Sequence, residues 1–132
     1  MRWKRAVPVI AIVTAAMVFG AASGAAASQS AGWVYSIGLQ GRGYFDADKS
    51  GWTGAEEIIA CDQTTDGHST LVAALDYDYN RVAWVIDGNN NGTCTSNAGN
   101  FIIDEYTVWL QVCDYEASTD KAWDCAYAQG VS

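Results

Sequence analysis

An antiparallel β-sandwich of about seven strands, immunoglobulin-like in build and held by two disulfides, is the fold this sequence predicts. Three observations lead there. Apolar and polar residues alternate in short runs, and clusters of Gly, Asn and Asp break the runs about every ten residues. Half of the 132 residues are apolar, 12% are aromatic and proline occurs once, which suits a packed core and excludes a disordered or collagen-like chain. The four cysteines, Cys61, Cys94, Cys113 and Cys125, are even in number and read as a disulfide framework in a small exported chain.

The elements follow in order. Arg2, Lys4 and Arg5 precede an apolar stretch from Ala6 to Ala22, and Ala25 and Ala27 stand in a small-residue run. That order predicts a signal peptide over residues 1–27, leaving a single secreted, extracellular domain over 28–132. The competing reading, an uncleaved anchor, is weakened by a run near the lower limit for crossing a bilayer. In the domain Trp33, Tyr35, Ile37 and Leu39 alternate with Val34, Ser36 and Gly38, which predicts a first strand interrupted by Gly41-Arg42-Gly43. Tyr44-Phe45, a loop from Asp46 to Gly54, and a short strand from Glu56 to Cys61 come next. After the Asp66-Gly67 turn signal, Leu71, Ala73, Leu75, Tyr77 and Tyr79 share one strand face and Thr70, Val72 and Ala74 the other. Val82–Ile86, Phe101–Ile103, Thr107–Tyr115 and Ala122–Ala128 complete the set, with Asp87–Gly99 as a long Asn/Gly loop.

A hairpin centred near Thr119 places Cys113 opposite Cys125, where cross-strand neighbours reach disulfide distance, and Cys61 then pairs with Cys94. Zinc is disfavoured, because the cysteines are widely spaced and His68 is the sole histidine.

The string Cys61-Asp62-Gln63-Thr64-Thr65-Asp66-Gly67-His68-Ser69, preceded by Gly43-Tyr44-Phe45 and followed by Gly92-Thr93-Cys94 and Val112-Cys113, resembles small secreted proteins of actinobacteria. That resemblance implies a disulfide-bonded β-protein with no defined biochemical role, and it carries over no catalytic residue. The Asp46–Gly54 loop is longer than the resemblance leads one to expect.

Charge narrows the partners. Residues 28–132 keep four basic side chains, Arg42, Lys49, Arg81 and Lys121, against all 15 acids of the chain. Such a surface repels nucleic acid and, once the signal is removed, an anionic membrane. Asp46, Asp48, Ser50 and Glu57, with Gly51 at the turn, match the ligand spacing of a calcium loop, but the flanking glycines deny it helices. The expectation is an acidic connector, with no cofactor, and weak calcium binding as the alternative. Asp87–Gly92 starts in the same way and lacks the closing carboxylate.

No catalytic set emerges. His68 and Ser69 are neighbours on a strand and point to opposite faces, so a triad with Asp66 fails, and no Gly-x-Ser-x-Gly elbow occurs. The Asp76/Asp78 pair reads as a solvated strand face. Trp52, in a glycine-flanked acidic loop, and Trp109, on the strand face of Thr107 and Gln111, are the candidate ligand-binding residues. The functional expectation is a monomeric, secreted, non-enzymatic module that binds an extracellular glycan or protein, with a disulfide-stabilised inhibitor or a weak calcium-binding domain as alternatives.

Overall fold

The computed structural model describes residues 28–88, 91 and 93–132. The expected signal peptide, and Asn89, Asn90 and Gly92 of the second calcium-type loop, lie outside the described residues. Strands β1 (Ala31–Tyr35), β2 (Gly41–Asp46), β3 (Glu56–Asp62), β4 (Ser69–Leu75), β5 (Arg81–Asp87), β6 (Thr95–Gly99), β7 (Thr107–Glu116) and β8 (Lys121–Val131) form two sheets. One runs β1-β2-β3-β6 and the other β5-β4-β7-β8, with all neighbours antiparallel. The predicted β-sandwich is therefore the fold, and no helix among the described residues is long and apolar enough to cross a membrane.

The alternation of side chains builds the interior. Phe45, Ile58 and Ala60 of the first sheet meet Val72, Ala74, Ala83, Val85, Val108, Leu110 and Val112 of the second. Each fully buried Phe, Ile, Leu or Val contributes about 1.5–3 kcal/mol relative to exposure. The other face of β4 is buried as well. Leu71, Ala73 and Leu75 join Cys113 and Tyr115, with Trp109 and Cys125 packed against them, in a second apolar cluster. Both predicted disulfides are present: Cys61–Cys94 ties β3 to the entry of β6, and Cys113–Cys125 joins β7 to β8. Two disulfides fit an oxidising, extracellular environment.

Four departures from the strand expectations have physical causes. Gly41-Arg42-Gly43 does not interrupt β2 but lies within it. A β-carbon at Gly43 would stand 2.6 Å from Val72 and 2.7 Å from Val112, so the glycines there allow the sheets to close. The first strand stops at Tyr35, because Ser36–Gln40 turns the chain with Leu39 at φ 58, leaving Ile37 and Leu39 exposed. Tyr77 and Tyr79 leave the strand at Leu75, since the Asp76 carboxylate accepts the amides of Asp78 (2.9 Å) and Asn80 (2.8 Å) and closes a tight turn. Asp76 and Asp78 are thus turn residues, not a strand-face pair. Finally, Phe101–Ile103 is not a strand; β6 forms instead at Thr95–Gly99, within the expected loop, and raises the strands among the described residues to eight.

Candidate functional site

The Asp76–Asn80 turn positions the first side chain of the site. Tyr79, at φ 63, folds back over the outer face of the second sheet and stacks on Trp109, with centroids 5.5 Å apart and planes at 21°. Trp109 points outward there because Val108 and Leu110, its neighbours along β7, fill the core. Leu75 supplies the floor. A polar line then crosses the sheet: Arg81 Nη2 donates to Gln111 Oε1 at 3.3 Å, and Gln111 Nε2 donates to Tyr127 Oη at 2.9 Å. The result is an open groove of about 600 Å3 lined by Leu75, Tyr79, Arg81, Trp109, Gln111 and Tyr127. One guanidinium, one amide and one phenol edge an aromatic wall, and no carboxylate lines it.

Of the two tryptophans singled out in the sequence, only Trp109 belongs to this groove. Trp52, half exposed, lies in the β2–β3 loop of the first sheet beside Asp48, Lys49 and Gly51. Gln111 shares Trp109's strand face in the sequence, but Tyr79 reads there as part of a strand, and Arg81 and Tyr127 join the groove only through strand pairing.

The calcium-type loop takes its own form. Asp46 and Glu57 face each other across β2 and β3, and Asp46 Oδ1 accepts the Asp48 amide at 3.1 Å. Glu57 Oε2 receives the Lys49 ammonium at 2.9 Å, so the carboxylate at position twelve is engaged by an internal cation. Ser50 is exposed at the loop tip. Among the described residues, no three His, Cys, Asp or Glu side chains form a metal-holding group.

At the other end of the sandwich several ionisable groups converge. His68 Nδ1 lies 3.0 Å from Glu116 Oε2, and its ring meets Trp123 edge-on at 5.0 Å. Hydrogen bonds from the Ser118 hydroxyl and amide, reinforced by His68, hold the Glu116 carboxyl below its ordinary range. The amide of His68 does the same to Asp66. Burial pushes Asp114 up, against a hydrogen bond donated by Ser36. Burial likewise raises Asp62, whose amide donates to Asp87 Oδ2 at 2.9 Å. The His68 ring nitrogen is thus engaged by Glu116.

Neither a family model nor a curated protein matches the chain. Among solved structures, an endonuclease/exonuclease/phosphatase from Beutenbergia cavernae shares its fold, with 15% identity and a TM-score of 0.56 over 81% of this chain. The match covers 27% of that protein, so the chain spans about a quarter of its length. This finding corrects the functional expectation. The expected non-enzymatic binding module, with an inhibitor or a weak calcium-binding domain as its alternatives, is set aside, because the structural neighbour is named as an enzyme. At this identity the likeness shows the fold alone.

Proposed function

We propose that the chain is the substrate-holding β-sandwich of a secreted hydrolase that acts on phosphate esters bearing an aromatic ring. The observation that carries the reading is the stacked Tyr79–Trp109 wall with Arg81 and Gln111 along its edge. A planar ring gains about 1–3 kcal/mol by stacking on such a wall. Arg81 supplies the forked donors that match a phosphate, and Gln111 can donate or accept beside it. The scarcity of bases elsewhere favours a small phosphate ester over a polyanion, whose many charges the 15 acids would repel. In this reading the groove holds the substrate's ring and phosphate in one orientation for hydrolysis. The occurrence of the same fold in an endonuclease/exonuclease/phosphatase supports the hydrolytic setting.

Tryptophan fluorescence and calorimetric titration with p-nitrophenyl phosphate and adenosine monophosphate test the proposal. Trp109→Ala and Arg81→Gln are each expected to weaken binding about tenfold, the equivalent of 1.4 kcal/mol, with Trp52→Ala unchanged. Equal binding to wild type and Trp109→Ala, or turnover by the isolated chain that survives both groove variants, overturns it.

A further inference from the structure

We propose that Asp114 and Asp124 together hold a hard divalent cation, of calcium's size and ligand preference, beneath the β1–β2 loop. Asp114 is fully buried at the inner face of β7. Its Oδ1 accepts a hydrogen bond from Ser36 at 2.7 Å, while Oδ2 is shielded from solvent and has no hydrogen-bond donor among the described residues. In its charged form an oxygen deprived of both water and a donor is costly to the fold, and a cation bound there removes that cost. A second carboxylate is aimed at the same place. The β7–β8 register shifts between Val112 and Asp114, and the bulge sets Asp124 at φ 49 with its Oδ2 facing the loop.

The loop itself is shaped to leave room. A β-carbon on Gly38 would stand 2.8 Å from Asp114 Oδ2 and 3.1 Å from Asp124 Oδ2, so any side chain there would fill the cradle between the two oxygens. The Ile37 amide donates to the Asp124 carbonyl at 2.8 Å and pins the loop over it. Asp124 is exposed, which gives an entry path, whereas Asp114 closes the bottom. Asp66 adds further negative potential at Asp114, and His68 offsets part of it. Two carboxylate oxygens with water completing the shell are a hard, oxygen-only donor set. That set suits a flexible calcium-type shell better than the strict octahedron of magnesium, and its low ligand count places affinity in the weak extracellular range. The site is remote in sequence from the Asp46–Glu57 loop and stands independently of the groove.

The test uses terbium and calcium as probes. Terbium luminescence excited through tryptophan is expected, because Trp123 adjoins Asp124 in the chain. Calcium at a few millimolar, above the weak extracellular range of about 0.1–1 mM, is expected to compete it away and to raise the melting temperature by a few degrees. Asp124→Asn, at an exposed position, and Gly38→Ala are each expected to abolish both signals. The Asp46→Asn/Asp48→Asn double variant is expected to keep them. The proposal is overturned if wild type shows neither signal, or if the signals survive in Asp124→Asn.

Discussion

Replacing Gly43 by alanine puts a methyl group where the two sheets touch, and the cost can be worked from the contacts. The new β-carbon would lie 2.6 Å from Val72 Cγ2, 2.7 Å from Val112 Cγ2 and 3.0 Å from Val72 Cγ1. Carbon atoms rest at about 3.5–4.0 Å, so two contacts are short by about 1 Å. Neither valine can swing away cheaply, since a branched side chain is stiff at χ1 and both are wholly buried. Nor can the backbone of β2 retreat, because Gly41 to Asp46 pair continuously with β3. Overpacking of this kind costs about 1–3 kcal/mol, and the reduced freedom of the unfolded chain returns about 0.4–1 kcal/mol. A net loss of about 1–2 kcal/mol lowers the melting temperature by about 5–15 °C for a domain near 100 residues. Val72→Ala removes two of the three clashing methyl contacts, so the double variant should be more stable than the sum of the singles by about 1 kcal/mol. Thermal denaturation followed by circular dichroism reads all four corners of this cycle. An unchanged melting temperature for Gly43→Ala, or strict additivity with Val72→Ala, would refute the close-packing argument.

Two further outcomes follow from the same structure. Burial raises the carboxyls of Glu56 and Asp62, so the native state keeps their protons to higher pH than the unfolded chain does. Stability should therefore rise as pH falls from neutral toward the ordinary carboxylate range, and Glu56→Gln should flatten that slope in a melting-temperature series; Asp66 and Glu116, held low by solvent-facing hydrogen bonds, oppose it weakly. In the chain-entropy account, removing Cys113–Cys125 (separation 12) costs about 3 kcal/mol and removing Cys61–Cys94 (separation 33) about 4 kcal/mol. Paired Cys→Ala variants compared by urea unfolding should rank in that order, and the reverse ranking would show that local packing outweighs loop closure.

The groove was only partly legible in the chain. Trp109 was identified because strand alternation assigns it to the face opposite Val108 and Leu110, and that rule needs no knowledge of partners. Tyr79 was misplaced by the same rule, since its alternation with Tyr77 and Leu75 continues through a turn that the Asp76 carboxylate closes. A short side chain that bonds its own backbone defeats periodicity in this way. Arg81, Gln111 and Tyr127 each look unremarkable alone. Their meeting depends on the sheet order: β4 alone separates Arg81 on β5 from Gln111 on β7, and β8 sets Tyr127 opposite Gln111. Trp52 lacks any core periodicity, yet it sits in the β2–β3 loop of the other sheet.

What the sequence determined by itself were the local and pairwise features: an all-β chain, two disulfides with their pairing, and the outward face of β7. Each rests on an interaction of short range along the chain, namely side-chain alternation, turn chemistry, or a hairpin that sets two cysteines opposite each other. Tertiary structure alone decided the rest. It turned Gly41 and Gly43 from an interruption into the contact between the sheets, because only the opposing Thr70, Val72 and Val112 make a side chain intolerable there. It recruited Thr95–Gly99 as a strand, although the segment has little strand propensity, because β3 offers it an edge to pair with. It also buried Asp114 beside Gly38 and Asp124, from three separate segments. Contacts between residues far apart in sequence carry no local pattern, so the fold must bring them together before their chemistry can be read.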